Sequence, residues 1–237
     1  MAISDLKLPA GVVAQGFERP QQLAKAQAEQ VAAALREAVA ERGHATLVVS
    51  GGRSPVAFFQ ALSAQALPWS KVLVSLADER WVPVSHADSN EALVRRHLLQ
   101  GSAAEAQLLG LYRSAGSLEQ AAELAEQALR ELPPIDVLVL GMGTDGHTAS
   151  LFPGSPNLPQ ALQADCPRRC LPMLAPSVPH QRLTLTLPVL KAARLQILAI
   201  EGQEKLAVLE QALQQRDLHS MPISAFIDAP LNIYWCP

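Results

Sequence analysis

The stretch Asp136-Val137-Leu138-Val139-Leu140-Gly141-Met142-Gly143-Thr144-Asp145-Gly146-His147-Thr148-Ala149-Ser150 decides the fold. Its apolar run, Val137 to Leu140, stops at three closely spaced glycines, Gly141, Gly143 and Gly146. That is the pattern of a buried strand opening into a tight loop. Asp145 and His147 are the only titratable groups among those glycines. Open α/β sheets bind ligands at the carboxyl ends of their strands, so an Asp and a His at such an end point to acid–base chemistry.

Upstream of this strand, residues 117–132 predict an Ala/Leu/Glu helix, set off by Pro133 and Pro134. Downstream, residues 151–159 are rich in Pro and Gly and cannot sustain a long helix. Residues 20–42 carry Leu23, Ala24, Ala28, Val31, Ala34, Leu35, Ala38 and Val39 at helical spacing, ended by Gly43. Residues 46–50 form a short buried strand. A second helix then starts at Ser54-Pro55, with Ser54 as N-cap and Pro55 at the first helical position. Residues 71–77 are the next strand, and a polar loop over 83–88 leads to a helix carrying Glu91, Leu93, Val94, His97 and Leu98. Strands over 182–187, 195–200 and 231–235, and a helix over 204–215, complete the set. This alternation predicts a mostly parallel sheet covered by helices. No repeat or long linker divides the chain, so residues 1–237 are expected to form a single domain.

Composition narrows the functions. At 237 residues, 49% of them hydrophobic, the chain has ample material for a core. A net charge of −3 leaves no basic footprint for nucleic acid or an anionic membrane, so any anionic ligand must meet local cations. No apolar stretch approaches the length of a membrane span. The segment Met1-Ala2-Ile3-Ser4-Asp5-Leu6-Lys7 has no charged-then-apolar signal pattern, and a cytoplasmic location is expected. Cys166, Cys170 and Cys236 are too few and too irregular for a disulfide framework or a zinc site. A redox pair of Cys166 and Cys170 is the alternative reading.

Three stretches carry candidate chemistry. The first is the glycine loop itself, whose Gly141, Gly143 and Gly146 match a dinucleotide fingerprint in spacing. That motif needs a helix straight afterwards, which the Pro-rich segment spoils, and Asp145 puts a carboxylate where a pyrophosphate belongs. The second, Ser50-Gly51-Gly52-Arg53-Ser54-Pro55, joins a strand to a helix start. Its backbone N–H groups, the helix dipole, Arg53 and the hydroxyls of Ser50 and Ser54 suit a phosphate, unless it is an ordinary capped turn. Without a Lys-Ser/Thr ending it is no Walker loop for a nucleoside triphosphate. The third, Asp78-Glu79-Arg80-Trp81, is either a solvated loop or three charges on the ligand-binding edge of the sheet. Arg182 and Lys205, taken singly, read as surface cations. His44, His86, His97, His180 and His219 read as structural or solvated.

Together these stretches resemble the 6-phosphogluconolactonases. The resemblance rests on residues 50–55, on Asp78-Glu79-Arg80-Trp81-Val82-Pro83 with Asp88-Ser89-Asn90, and on Gly141 through Gly154. Arg182-Leu183-Thr184-Leu185-Thr186 and Gly202-Gln203-Glu204-Lys205 continue it in the same order, so that it covers nearly the whole chain. It implies the fold shared with glucosamine-6-phosphate deaminases, a Rossmann-like three-layer α/β/α sandwich. It implies hydrolysis of 6-phospho-D-glucono-1,5-lactone to 6-phospho-D-gluconate, the second step of the oxidative pentose phosphate pathway, with no metal or organic cofactor. Carried over residue by residue, it makes His147 the general base, Asp145 its orienting partner or the holder of the water, and Arg80 a stabiliser of the oxyanion. Ser50, Gly51, Gly52, Arg53, Ser54, Arg182 and Lys205 then take the phosphate, and Asp78 the sugar hydroxyls. A monomer or weak homodimer acting on a small sugar-phosphate lactone is expected.

The deaminases are the alternative, because they share the Ser-Gly-Gly loop and the Asp-Gly-His core. Their pattern keeps a Glu five residues after that His, where this chain has Phe152, and an aromatic residue where it has Arg80. A Phe transfers no protons, so both departures favour the lactonase. A serine nucleophile lacks its Gly-x-Ser-x-Gly elbow. A non-catalytic sugar-phosphate sensor is a third reading, but no added DNA-binding module is evident and a sensor does not need Asp145 and His147 together.

Overall fold

The structure is a computed structural model that describes residues 2–176, 179–228 and 230–237. Met1, at the head of the segment read above for an export signal, lies outside them. The first half of the chain runs β1 (Val12–Gly16), α1 (Pro20–Arg42), β2 (Ala45–Val49), α2 (Pro55–Ser63), β3 (Val72–Leu76) and β4 (Asp78–Arg80). Next come α3 (Asn90–His97), β5 (Gln107–Leu109), α4 (Leu118–Ala128), β6 (Val137–Leu140) and α5 (Leu158–Ala161). The last part holds β7 (Cys170–Leu174), β8 (Gln181–Leu185), α6 (Leu187–Lys191), β9 (Leu195–Glu201), α7 (Gln203–Gln215) and β10 (Leu231–Cys236).

Seven strands form one sheet in the order β1-β10-β9-β6-β2-β3-β5, and every pairing in it is parallel. The strands β2 and β6 are buried along their whole length, which is why they read as continuous apolar runs rather than alternating ones. Connections from β1 to β2 and from β2 to β3 run one way across the sheet, whereas those from β6 to β9 and from β9 to β10 run the other way. With right-handed crossovers, α1 and α2 therefore cover one face and α7 the other, giving three layers. α1 packs on α2 and against β2 and β10. Gly43 ends α1 in the left-handed conformation at φ 78°, as expected for a glycine C-cap. The direction of winding reverses between the neighbours β2 and β6, and a sheet of this kind opens its ligand crevice at that point.

A second sheet, β4-β8-β7, is antiparallel and was not anticipated. It grows out of the first. The N–H of Ala77 donates to Val49 O (2.9 Å) in the parallel sheet, and its carbonyl accepts from Leu185 N (2.9 Å) in the antiparallel one. Asp78, Glu79 and Arg80 are thus strand residues, not a solvated loop. Two other short strands, β1 and β5, also escaped the pattern, being partly exposed and without clear alternation. The strand β7 carries Pro172 at its centre, which is tolerated because β7 is an edge. Ser54 has αR backbone and makes no capping hydrogen bond, so the expected N-cap is absent and its hydroxyl is uncommitted. Cys166, Cys170 and Cys236 are buried free thiols, and burial pushes the Cys170 thiol up to about 12. The redox-pair reading fails accordingly. Among the described residues, no helix is long and apolar enough to cross a membrane.

Glu79 is 0% exposed, and its carboxylate closes the start of α3. It accepts from the backbone N–H groups of Arg80 (2.7 Å), Asn90 (2.7 Å) and Glu91 (2.8 Å), and from the Ser89 hydroxyl (3.1 Å). Burial pushes its pKa up to about 7 against the pull of those donors. Glu79→Ala leaves three buried N–H groups without an acceptor and is expected to lower the unfolding free energy by about 3 kcal/mol or more. Urea unfolding followed by circular dichroism measures this, and a loss within error of zero would refute the capping role.

Candidate active site

A cavity of about 270 Å³ opens at the reversal point. Its walls come from residues 50–55 after β2, Asp78 and Arg80 on β4, the loop after β6, Arg182 on β8 and Lys205 in the first turn of α7.

The loop after β6 is closed by its own backbone. Gly143 N–H donates to His147 O (2.9 Å), Gly146 N–H to Gly143 O (3.1 Å), and the Thr148 hydroxyl to Gly141 O (2.8 Å). Ile223 N–H, from the segment before β10, donates to Gly146 O (2.9 Å) and pins the loop from outside. Gly146 adopts φ 78°, which lets the chain curl until residues two apart touch. Asp145 Oδ1 then accepts from both the His147 ring at Nδ1 (2.5 Å) and the His147 backbone N–H (3.1 Å). Burial works to raise the Asp145 carboxyl, but the hydrogen bond and charge of His147 overcome it and hold it below the usual carboxylate range. His147 lines the cavity and Asp145 does not. This geometry suits the orienting role expected for Asp145.

The other side of the imidazole rests on Phe152, with ring centroids 4.2 Å apart and planes at 32°. The Arg182 guanidinium lies 5.6 Å from the centre of that same ring. One buried aromatic residue therefore backs both the candidate base and a candidate anion ligand.

Charge in the cavity is locally inverted. Arg53, Arg80, Arg182 and Lys205 line it against Asp78 and Glu201, in a chain whose net charge is −3. Among the described residues, none of these four cations makes an ion pair. Arg80 donates from Nη1 to Asp88 O (2.6 Å) and Arg182 from Nη2 to Pro179 O (3.3 Å), and among the described residues the Nε of each is buried without a partner. Burial draws the Arg182 pKa below its ordinary value, opposed by Asp78 and reinforced by Arg80. The Ser50 hydroxyl is likewise buried and unpartnered. Lys205 sits where a cation opposes the helix dipole, so its position serves the cavity rather than α7.

All the expected substrate-binding residues, Ser50, Gly51, Gly52, Arg53, Ser54, Asp78, Arg182 and Lys205, meet here with His147 and Arg80. Two residues absent from that expectation hold Asp78. Ser150 donates its hydroxyl to Asp78 Oδ2 (2.6 Å), and Asn90 donates from Nδ2 to Asp78 O (2.8 Å). Asn90 lines the cavity with its Oδ1 buried and unpartnered. Both lie in quoted motifs, but no spacing rule ties either to Asp78, which tertiary pairing alone brings near.

A winding reversal with a cationic wall and a His–Asp pair is the arrangement of an α/β protein suited to a small anionic ligand and to acid–base chemistry. Sequence comparison gives the particular family. The model described as glucosamine-6-phosphate isomerases/6-phosphogluconolactonase matches residues 18–235. The chain is 63% identical to a 6-phosphogluconolactonase of Pseudomonas aeruginosa over 238 residues, covering 100% of both chains. It is 48% identical to one of Rhizobium meliloti, covering 93% of this chain and 97% of that one. The crystal structure of a 6-phosphogluconolactonase from Shewanella baltica superposes with a TM-score of 0.93 at 40% identity, covering 98% of this chain and 100% of that one. The chain belongs to the glucosamine-6-phosphate isomerase/6-phosphogluconolactonase family.

A Cβ on Gly143 would lie 2.2 Å from His147 Nδ1 and 2.7 Å from Asp145 Oδ1. Gly143→Ala is therefore expected to push the ring off its carboxylate and to cut turnover on the order of a hundredfold. Steady-state kinetics with the far-ultraviolet circular dichroism unchanged is the test, and wild-type turnover would sink it.

Proposed function

We propose that this cavity hydrolyses 6-phospho-D-glucono-1,5-lactone to 6-phospho-D-gluconate, the second step of the oxidative pentose phosphate pathway. The observation that carries the reading is the His147 imidazole, tied at Nδ1 to Asp145 and backed by Phe152. With Nδ1–H donated to Asp145, Nε2 is the nitrogen with a free lone pair, and it takes a proton from water as the water oxygen attacks the lactone carbonyl. Negative charge then collects on the carbonyl oxygen, where Arg80 and N–H groups of the glycine loop stabilise it. Collapse breaks the bond between the carbonyl carbon and the ring oxygen. The imidazolium returns its proton to that oxygen, which leaves as the sugar's own hydroxyl.

The phosphate lies on residues 50–54 with Arg182 and Lys205, and that remote binding positions the lactone under His147. Asp78, oriented by Ser150 and Asn90, accepts from sugar hydroxyls. In the deaminases the position of Phe152 holds a carboxylate for proton transfer, and a phenyl ring leaves that reaction without its second acid–base group. A cytoplasmic monomer or weak homodimer, one domain over residues 1–237, goes with this reading.

His147→Ala is expected to lower kcat about a hundred- to ten-thousandfold, with lactone generated in situ and the spontaneous rate subtracted. A variant as fast as the wild type would remove the base from the mechanism. Arg182→Ala should raise KM with a smaller effect on kcat, and an unchanged specificity constant would take Arg182 out of the phosphate site. Acid release from the lactone without ammonia release from glucosamine 6-phosphate is the expected substrate pattern. The opposite pattern would make the chain a deaminase, and binding without turnover a sensor.

A further inference from the structure

Outside the cavity, two loops converge on a second cluster. His86 and Asp88 lie between β4 and α3, and His180 immediately precedes β8. His180 Nε2 is 2.8 Å from Asp88 Oδ2, and His86 Nδ1 is 3.8 Å from the same oxygen. The two rings stand edge to face with centroids 5.4 Å apart. One nitrogen from each ring and one Asp88 oxygen all lie within 4.8 Å of one another. These histidines are the ones that read singly as structural or solvated.

The backbone gives an independent sign. His180 adopts φ 74°, a conformation that a residue with a Cβ seldom takes without compensation. It is held there by its neighbours, since Arg182 Nη2 donates to Pro179 O (3.3 Å) and Trp81 N–H donates to Gln181 O (2.7 Å). Local strain that turns a donor ring towards two other donors is characteristic of ligand sites.

We propose that His86, Asp88 and His180 bind a borderline divalent transition-metal ion, with Zn²⁺ as the ion of choice. Two imidazoles and a carboxylate suit zinc, cobalt or nickel, and are the wrong donors for magnesium or calcium. Bonds of about 2.1 Å in a tetrahedral site place donors about 3.4 Å apart. The 2.8 and 3.8 Å separations here bracket that spacing, so small side-chain rotations complete it. The ion replaces two existing bonds, the 3.1 Å contact from Asp88 N–H to His86 Nδ1 and the 2.8 Å contact between His180 Nε2 and Asp88 Oδ2. None of the three residues lines the cavity, so the ion is no participant in lactone hydrolysis. It ties together the two segments that carry the cavity arginines, because Asp88 O holds Arg80 and His180 lies two residues before Arg182.

The test is a titration of the full chain with Co²⁺, followed by its visible absorption and then by displacement with Zn²⁺. One equivalent should give the absorption of a low-coordinate cobalt ion, and zinc should abolish it. His86→Ala/His180→Ala should weaken cobalt binding more than about a hundredfold, beyond what loss of an outer-shell partner costs. Asp88→Asn, which keeps the side-chain size, should weaken it in the same direction, and circular dichroism checks that both variants fold. His147→Ala should leave the spectrum intact. The proposal is overturned if the wild type gives no spectrum at millimolar cobalt, if the double variant keeps it, or if His147→Ala removes it.

Discussion

Ala77 belongs to two sheets at once, with its N–H bonded to β2 and its carbonyl to β8. A strand that passes straight from a parallel to an antiparallel sheet keeps its two-residue alternation across the junction. Asp78 and Arg80 therefore face the same way, into the cavity, and Glu79 faces the other way, onto the start of α3. The pairing Arg80 to Arg182 across β4 and β8 then sets two arginines opposite each other in register. Like charges directly opposite in a sheet are unfavourable, and among the described residues neither guanidinium has an ion-pair partner, with Asp78 the leading opposing charge on Arg182. The sheet supplies the rigidity that keeps this arrangement in place.

How much of this was legible depended on whether a residue's role is local. Buried runs such as Val137 to Leu140 announce parallel strands because covering both faces removes alternation. The glycine loop announced its His–Asp pair because the partners are two residues apart. The antiparallel sheet was hidden because β4 looks like a charge cluster, β7 carries a proline, and β8, which pairs with both, is far along the chain from β4. Glu79 read only as one charge of three, in a solvated loop or on the ligand-binding edge, since its partners at residues 89 to 91 come to it only through folding. Ser54 went wrong in the opposite sense. Its sequence context is that of a good cap, but the loop around Gly52, at φ 102°, brings it into the helix already in αR geometry. Family resemblance supplied the substrate side, including Arg182 and Lys205, which single-residue reasoning left as surface cations.

The cavity is the part of the molecule that least obeys local rules. Among the described residues, buried guanidinium donors lack partners, a lysine sits at the wrong end of a helix dipole, and a glycine stands where a methyl group would strike the imidazole. Each departs from what stability alone favours, and such departures gather where a fold is shaped for function.

Phe152 is 2% exposed and lies between the His147 ring and the Arg182 guanidinium. Exchanging it for the carboxylate of the deaminases would not simply add a proton carrier. A buried carboxylate there would take Arg182 as its own counter-ion, and the imidazole would lose the surface it rests on. One ring thus sets the surroundings of a histidine and an arginine at once. A substitution at position 152 cannot alter the setting of the imidazole while leaving that of the guanidinium as it is.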